Sequence, residues 1–117
     1  MVNFEKLNVY HDAIALARSI YSLTKNFPKE EIFGVISQLR RAAVSVSINV
    51  AEGSSRSKKE FAHFIDISRG SCYELIALLR ISADLNFISS KEQEKTYQEI
   101  ELLIKKLNAL KNSLGRP

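Results

Sequence analysis

Wound at about 100° per residue, the segment Val35-Ile36-Ser37-Gln38-Leu39-Arg40-Arg41-Ala42-Ala43-Val44-Ser45-Val46-Ser47-Ile48-Asn49-Val50-Ala51-Glu52 separates into two apolar faces. Val35, Ile36, Leu39, Ala42, Ala43, Val46 and Val50 share one broad face suited to the inside of a bundle. Val44, Ile48 and Ala51 lie on roughly the opposite side, flanked by Arg40 and Arg41. A helix patterned this way packs one side into a core and keeps a second apolar lane that a monomer would expose to water.

The punctuation on either side predicts three more helices. Asn8 reads as the N-cap of a first helix whose buried face is Val9, Ala13, Leu16, Ala17, Ile20 and Leu23. Phe27-Pro28 ends it, because the residue before a proline is pushed out of the α region. Glu30 and Glu31 then favour a new helix start, where the dipole welcomes carboxylates. Gly53 reads as a left-handed residue just past the end of the second helix. Ser57 through Glu60 has the spacing of a capping box, and Ser90-Lys91-Glu92-Gln93 offers another after a turn at Asn86 to Ser89. Tyr97, Ile100, Leu103, Ile104, Leu107, Leu110 and Leu114 form the stripe of the last helix. Helices at about 8–25, 32–52, 58–86 and 90–112, joined by short connections, imply a single all-α domain over residues 1–117. Its economical architecture is an antiparallel up-down-up-down four-helix bundle.

Composition agrees. The chain has 117 residues, 45% hydrophobic and 26% charged, which suits one globular domain. Four glycines and two prolines are too few for the turns of a many-stranded sandwich or barrel. The single Cys72 rules out an internal disulfide and a multi-cysteine zinc site. No wholly apolar run is longer than Leu75 to Leu79, which Ala13 to Ala17 equals, and no basic-then-apolar leader opens the chain. Neither membrane spanning nor secretion is therefore expected, and the cytoplasm is the expected compartment.

The third helix repeats the excess seen in the second. Phe61, Phe64, Ile65, Ser68, Cys72, Leu75, Ile76 and Leu79 make its core face. Ile67, Leu78, Ile81 and Leu85 extend the apolar arc well past one stripe. Two such lanes on adjacent helices predict an oligomer interface built from Val44, Ile48, Ala51, Ile67 and Leu78, with Glu74 beside it. Glu74 either meets an arginine, within the chain or across subunits, or points to solvent. Gly70 sits mid-helix, where it costs roughly 1 kcal/mol relative to alanine. It either permits a close approach or a bend, or is a tolerated weak position.

The net charge is +4, and five of the seven arginines (Arg40, Arg41, Arg56, Arg69 and Arg80) fall between residues 40 and 80 with Lys58 and Lys59. Such a cluster is either a solvated surface or a polyanion site. Catalytic constellations are fragmentary. Glu60-Phe61-Ala62-His63 has the Glu-x-x-His spacing of di-iron bundles, but those sites need two such motifs and two further glutamates. His11 has Asn8, not Glu, three residues before it, so no metal site is expected. Cys72 on a core stripe reads as a structural cysteine. Gly53-Ser54-Ser55-Arg56-Ser57-Lys58-Lys59 lacks the second glycine of a Walker loop, though free amides and basic side chains there are suited to holding one phosphate. No enzymatic activity or cofactor is expected.

Read in order, Phe27-Pro28, Gln38 through Ser45, Asn49-Val50-Ala51-Glu52-Gly53, Arg56 and Gly70-Ser71 followed by Glu74 form a long and specific string. It resembles the bacterial four-helix-bundle proteins encoded in intervening sequences of 23S ribosomal RNA genes, a family related to the accessory variability protein of diversity-generating retroelements. The likeness extends back through Phe4 to Ala17, with Tyr10 standing where tryptophan is commoner. The resemblance implies a cytoplasmic homopentamer without established enzymatic activity. Its retroelement relatives bind nucleic acid and a reverse transcriptase through a basic surface. Arg40, Arg41 and Arg56 match the basic positions of the motif, and charge placement adds Lys58, Lys59 and Arg69. Asn49, Glu52, Gly53, Gly70 and Glu74 are expected to act structurally, at helix ends or subunit contacts. RNA or DNA backbone is the expected ligand; the rival is a scaffold whose basic face meets an acidic protein, and the resemblance admits a reverse transcriptase or other protein as a partner.

Overall fold

The computed structural model describes residue 4 and residues 7–115; residues 1–3, 5–6 and 116–117 lie outside it. Four helices follow one another: α1 (Asn8–Thr24), α2 (Val35–Ser54), α3 (Lys58–Asp84) and α4 (Ser90–Ser113). Each packs against its neighbours in sequence and α1 also meets α4, whereas among the described residues no diagonal pair brings its backbones within 8 Å. This closed cycle is a four-helix bundle of about 45 × 22 × 20 Å, a length set by the 27-residue α3 at 1.5 Å per residue.

Most of the core is the one the apolar spacing predicts; the exception on α4 is Tyr97, which is exposed and donates to Glu101 at 3.4 Å, while Ala17, Leu23, Phe64, Ile76, Leu110 and Leu114 are half-buried. Val35, Ile36, Leu39, Ala42, Ala43, Val46 and Val50 of α2 are all buried, as are Leu16 and Ile20 of α1, Ile65, Leu75 and Leu79 of α3, and Ile100 and Leu107 of α4. Phe27 closes one end of the bundle, its ring 5.5 Å from that of Phe87. Around the core, Lys106 reaches Asp12 at 2.6 Å and Lys111 reaches Asp66 at 2.9 Å, tying α4 to both neighbours. The Lys111 ammonium, with Arg69, holds the Asp66 carboxyl below its ordinary range. Within the α1–α4 seam, Ser19 donates to Glu99 at 3.1 Å, while burial pushes that carboxyl up.

Several helix ends differ from expectation. The N-cap of α1 is Leu7, and Asn8 is the first helical residue. The Leu7 carbonyl opens the ladder by accepting from Tyr10 and His11, and its side chain packs against the core, so burial outweighs the capping preference of asparagine. A 3-10 turn at Lys29–Glu31 takes the place of the first residues of the second helix, which begins at Val35. The capping box of α4 is Ser89 with Glu92, one residue earlier than expected, both reciprocal hydrogen bonds being formed. At α3, Ser57 caps the Glu60 amide at 3.2 Å and gives its own hydroxyl to the Glu60 carboxylate at 2.9 Å. The α3–α4 turn rests on Asn86 in the left-handed region (φ 63°). Its amide donates to Ala83 and that of Phe87 to Ser82, a Schellman closure that asparagine tolerates well.

Gly53 is helical and buried, not a left-handed terminator. A Cβ there would stand 2.6 Å from the Cβ of Phe64 and 2.9 Å from the Phe61 ring. The residue is required by the close approach of α3, and its role is packing between helices.

Candidate nucleic-acid and subunit interface

The α2–α3 seam is built from small residues and polar links. Ser68 donates to the Val46 carbonyl at 2.9 Å across the two helices. Asn49 donates to both the carbonyl and the hydroxyl of Ser45, each at 2.9 Å, and Ser71 donates to the same hydroxyl at 3.0 Å. Asn49 thus orients Ser45 for the interhelical bond, consistent with a structural part. Gly70 is exposed and has open space where a Cβ would stand, so nothing in this chain approaches it.

On the outer side of this seam lie the predicted apolar lanes. Ile48 is 57% exposed, and Ile67, Ile81 and Leu85 are also exposed. Val44 and Ala51 are half-buried, because the lane is flanked by the groove walls. Leu78 departs from the expectation: at 7% exposure it belongs to the core. Ser82, one turn further along α3, is fully buried too, so the covered side of the helix reaches further round at this end than the apolar spacing suggests.

Two depressions flank the lane on α2. One, about 550 Å3, is lined by Tyr21, Ile32, Ile36, Val44 and Ile48, with Ser37, Arg40, Arg41 and Ser45 completing it. The other, about 440 Å3, is polar and holds Gln38, Arg41, Ala42, Ser45, Ser71 and Glu74. Arg41 lines both. Glu74 shares the polar groove with Arg41, yet among the described residues neither makes an ion pair within 4 Å.

The six cations expected to meet nucleic acid do not form one patch. Arg40 donates through Nε to the Thr24 hydroxyl at 2.9 Å and through Nη2 to the Tyr21 carbonyl at 3.5 Å. Its guanidinium also lies 4.6 Å from the Tyr21 ring centre. It therefore satisfies the C-terminal end of α1, a helix with no basic residue in its last turn. Arg56 pairs with Glu52 and Glu60 and stacks over Phe64, and those carboxylates raise its pKa. Arg69 is half-buried and bonded to Asp66 on the α3–α4 side. Arg41, Lys58 and Lys59 are exposed and, among the described residues, have no carboxylate within 4 Å. Arg41 stands thirteen residues before the end of α2, about 20 Å along the axis from the lysines.

The serine-rich connection is likewise spoken for. Ser54 and Ser55 donate to carbonyls of their own helix, Ser57 caps α3, and the Glu60 carboxylate sits at that helix start. The phosphate-holding expectation is left with Lys58 and Lys59. Cys72 is fully buried, and desolvation pushes its thiol up to about 12. A thiol-specific reagent at mildly alkaline pH is expected to label native protein far more slowly than denatured protein. Equal rates would place Cys72 at the surface. No group of three or more His, Cys, Asp or Glu among the described residues is arranged to hold a metal, and no helix there is long and apolar enough to cross a membrane.

Sequence reasoning missed the Arg40 clamp and the exposure of Phe33. The first left no readable signal, because the contact joins two helices and Lys25 already stands at the end of α1. The second depends on which way a short turn faces.

With this geometry in place, comparison adds a family. The model described as 23S rRNA-intervening sequence protein matches residues 5–109. Among solved structures, the fold is similar to a protein of unknown function from the S23 ribosomal protein family of Bacteroides thetaiotaomicron VPI-5482. The two are 19% identical with a TM-score of 0.78, over 88% of this chain and 97% of that one, a likeness of fold alone. No curated protein matches the chain.

Proposed function

The chain belongs to the 23S rRNA-intervening sequence protein family, and from that premise and its surface we infer a non-enzymatic homo-oligomer, a pentamer by family resemblance, that engages nucleic-acid backbone once assembled. The observation that carries this reading is the apolar lane of Ile48, Ile67 and Ile81, left unpartnered beside Arg41 and Glu74. Copies packed through that face would remove the lane from water and bring an arginine and a glutamate of opposite charge to the contact. Arg41 then serves assembly, and Lys58 and Lys59 remain for the polyanion.

Electrostatics favours binding after assembly. One chain at +4 is a weak field, whereas five copies carry about +20. Backbone contacts release counterions, so affinity for structured RNA or duplex DNA is expected to fall steeply with salt. Fluorescence anisotropy at several salt concentrations tests this. Replacing Lys58 and Lys59 with glutamine should reduce the salt slope by about 1 for each lysine that contacts a phosphate. Unchanged slope and affinity would move the contact away from the start of α3. The second reading, a scaffold for a protein partner in the cytoplasm, is favoured by the pairing of Arg56 and Arg69 with carboxylates and by the hydrogen bonds that hold Arg40 to Thr24 and Tyr21, which leave fewer cations for a polyanion. Flat RNA and DNA titrations at low salt would select it.

A further inference from the structure

Phe33 is the most exposed large apolar residue described, at 96%. It does not sit on a loose segment. Glu31 donates to the Pro28 carbonyl, Ile32 to Lys29 and Gly34 to Glu31, so a bonded turn presents the ring just before α2 begins. An aromatic held out on a turn with its conformation already set loses little entropy on docking, the property of an interface anchor.

The chain also carries a receptor for it. The groove over α2 is walled by Tyr21, Val44 and Ile48 and has Arg41 in its lining. Of the two carboxylates on the Phe33 turn, Glu31 turns back to accept from the Val35 amide at 3.4 Å, whereas Glu30 is exposed and, among the described residues, pairs with no cation within 4 Å. An apolar knob beside a carboxylate thus matches an apolar trough beside a guanidinium. At 96% exposure, Phe33 does not enter the groove of its own chain.

We propose that Phe33 of one copy seats in the α2 groove of a second copy, with Glu30 directed at that copy's Arg41. The proposal rests on the self-association inferred above and names its anchor. Knob and groove are different patches, so the contact is heterologous, the kind that generates rings when its rotation closes.

The test measures solution mass for the whole chain and two surface variants, Phe33→Asp and Ile48→Asp, each confirmed helical by circular dichroism. The first lacks the knob and the second the groove. Both are expected to lose assembly alone, and their mixture is expected to form a one-to-one complex, because the intact knob of the second variant fits the intact groove of the first. Phe33→Ala should weaken wild-type assembly by about tenfold to a hundredfold. Wild-type mass for Phe33→Asp would overturn the anchor and leave self-association standing. Two dissociated variants that fail to pair would overturn the knob-into-groove match. A monomeric wild-type chain would overturn the self-association reading as well.

Discussion

Leu78→Asp is expected to cost at least about 3 kcal/mol of folding stability, while Ile48→Asp changes stability by no more than about 0.5 kcal/mol. Helical periodicity puts Leu78 in the lane of Ile67 and Ile81, but only Leu78 is covered, at 7% exposure against 57% for Ile48 on α2. Aspartate there forfeits the buried leucine contacts and places a carboxylate where no cation pairs with it. Against a domain stability of about 5–15 kcal/mol that is a large fraction, and it will appear as a lowered urea midpoint. Ile48 loses no intramolecular packing of comparable depth, so at dilutions where the wild type is also a single chain its aspartate variant keeps its helicity and its midpoint. Equal midpoints for the two variants would return Leu78 to the outer lane.

Two glycines are expected to respond to alanine with opposite signs. Gly53→Ala forces a Cβ to within 2.6 Å of the Phe64 Cβ, an atom fixed to the α3 backbone. Relief requires α3 to move away from α2, and overpacking of this kind costs about 1–3 kcal/mol. The gain in helix propensity, roughly 1 kcal/mol, offsets part of that. Gly70→Ala meets nothing within 4 Å and should stabilise the folded chain by about 0.5–1 kcal/mol. Thermal or urea unfolding of both variants decides the matter, and two changes of the same sign would refute the packing account of Gly53.

The core and the number of helices were readable because period-3.6 patterning is strong in every segment, α2 above all. Positions decided by neighbours were less readable. Gly53 looks like a terminator until the approach of Phe64 is known, since a glycine required for closeness and one required for a left-handed turn read alike. Asn86, which does take the left-handed conformation, lay inside the predicted turn without being singled out. For the basic residues, the sequence shows charge but not partners. Arg56 has glutamates four residues away on both sides, a signal that was legible, whereas the grip of Arg40 on Thr24 crosses two helices. The exposure of Ile48 and Ile67 is legible from periodicity, whereas the burial of Leu78 is set by packing that the spacing does not show.

The central claim is that this bundle is one subunit of a homo-oligomer joined through the outer face of α2 and α3. Sedimentation velocity of the unmodified chain over a wide concentration range tests it most directly. A mass several times 13.2 kDa that falls toward the single-chain value on dilution, or stays at one multiple throughout, is the expected result. A mass of 13.2 kDa at every concentration would contradict it, and would leave the apolar lane to a partner of another kind.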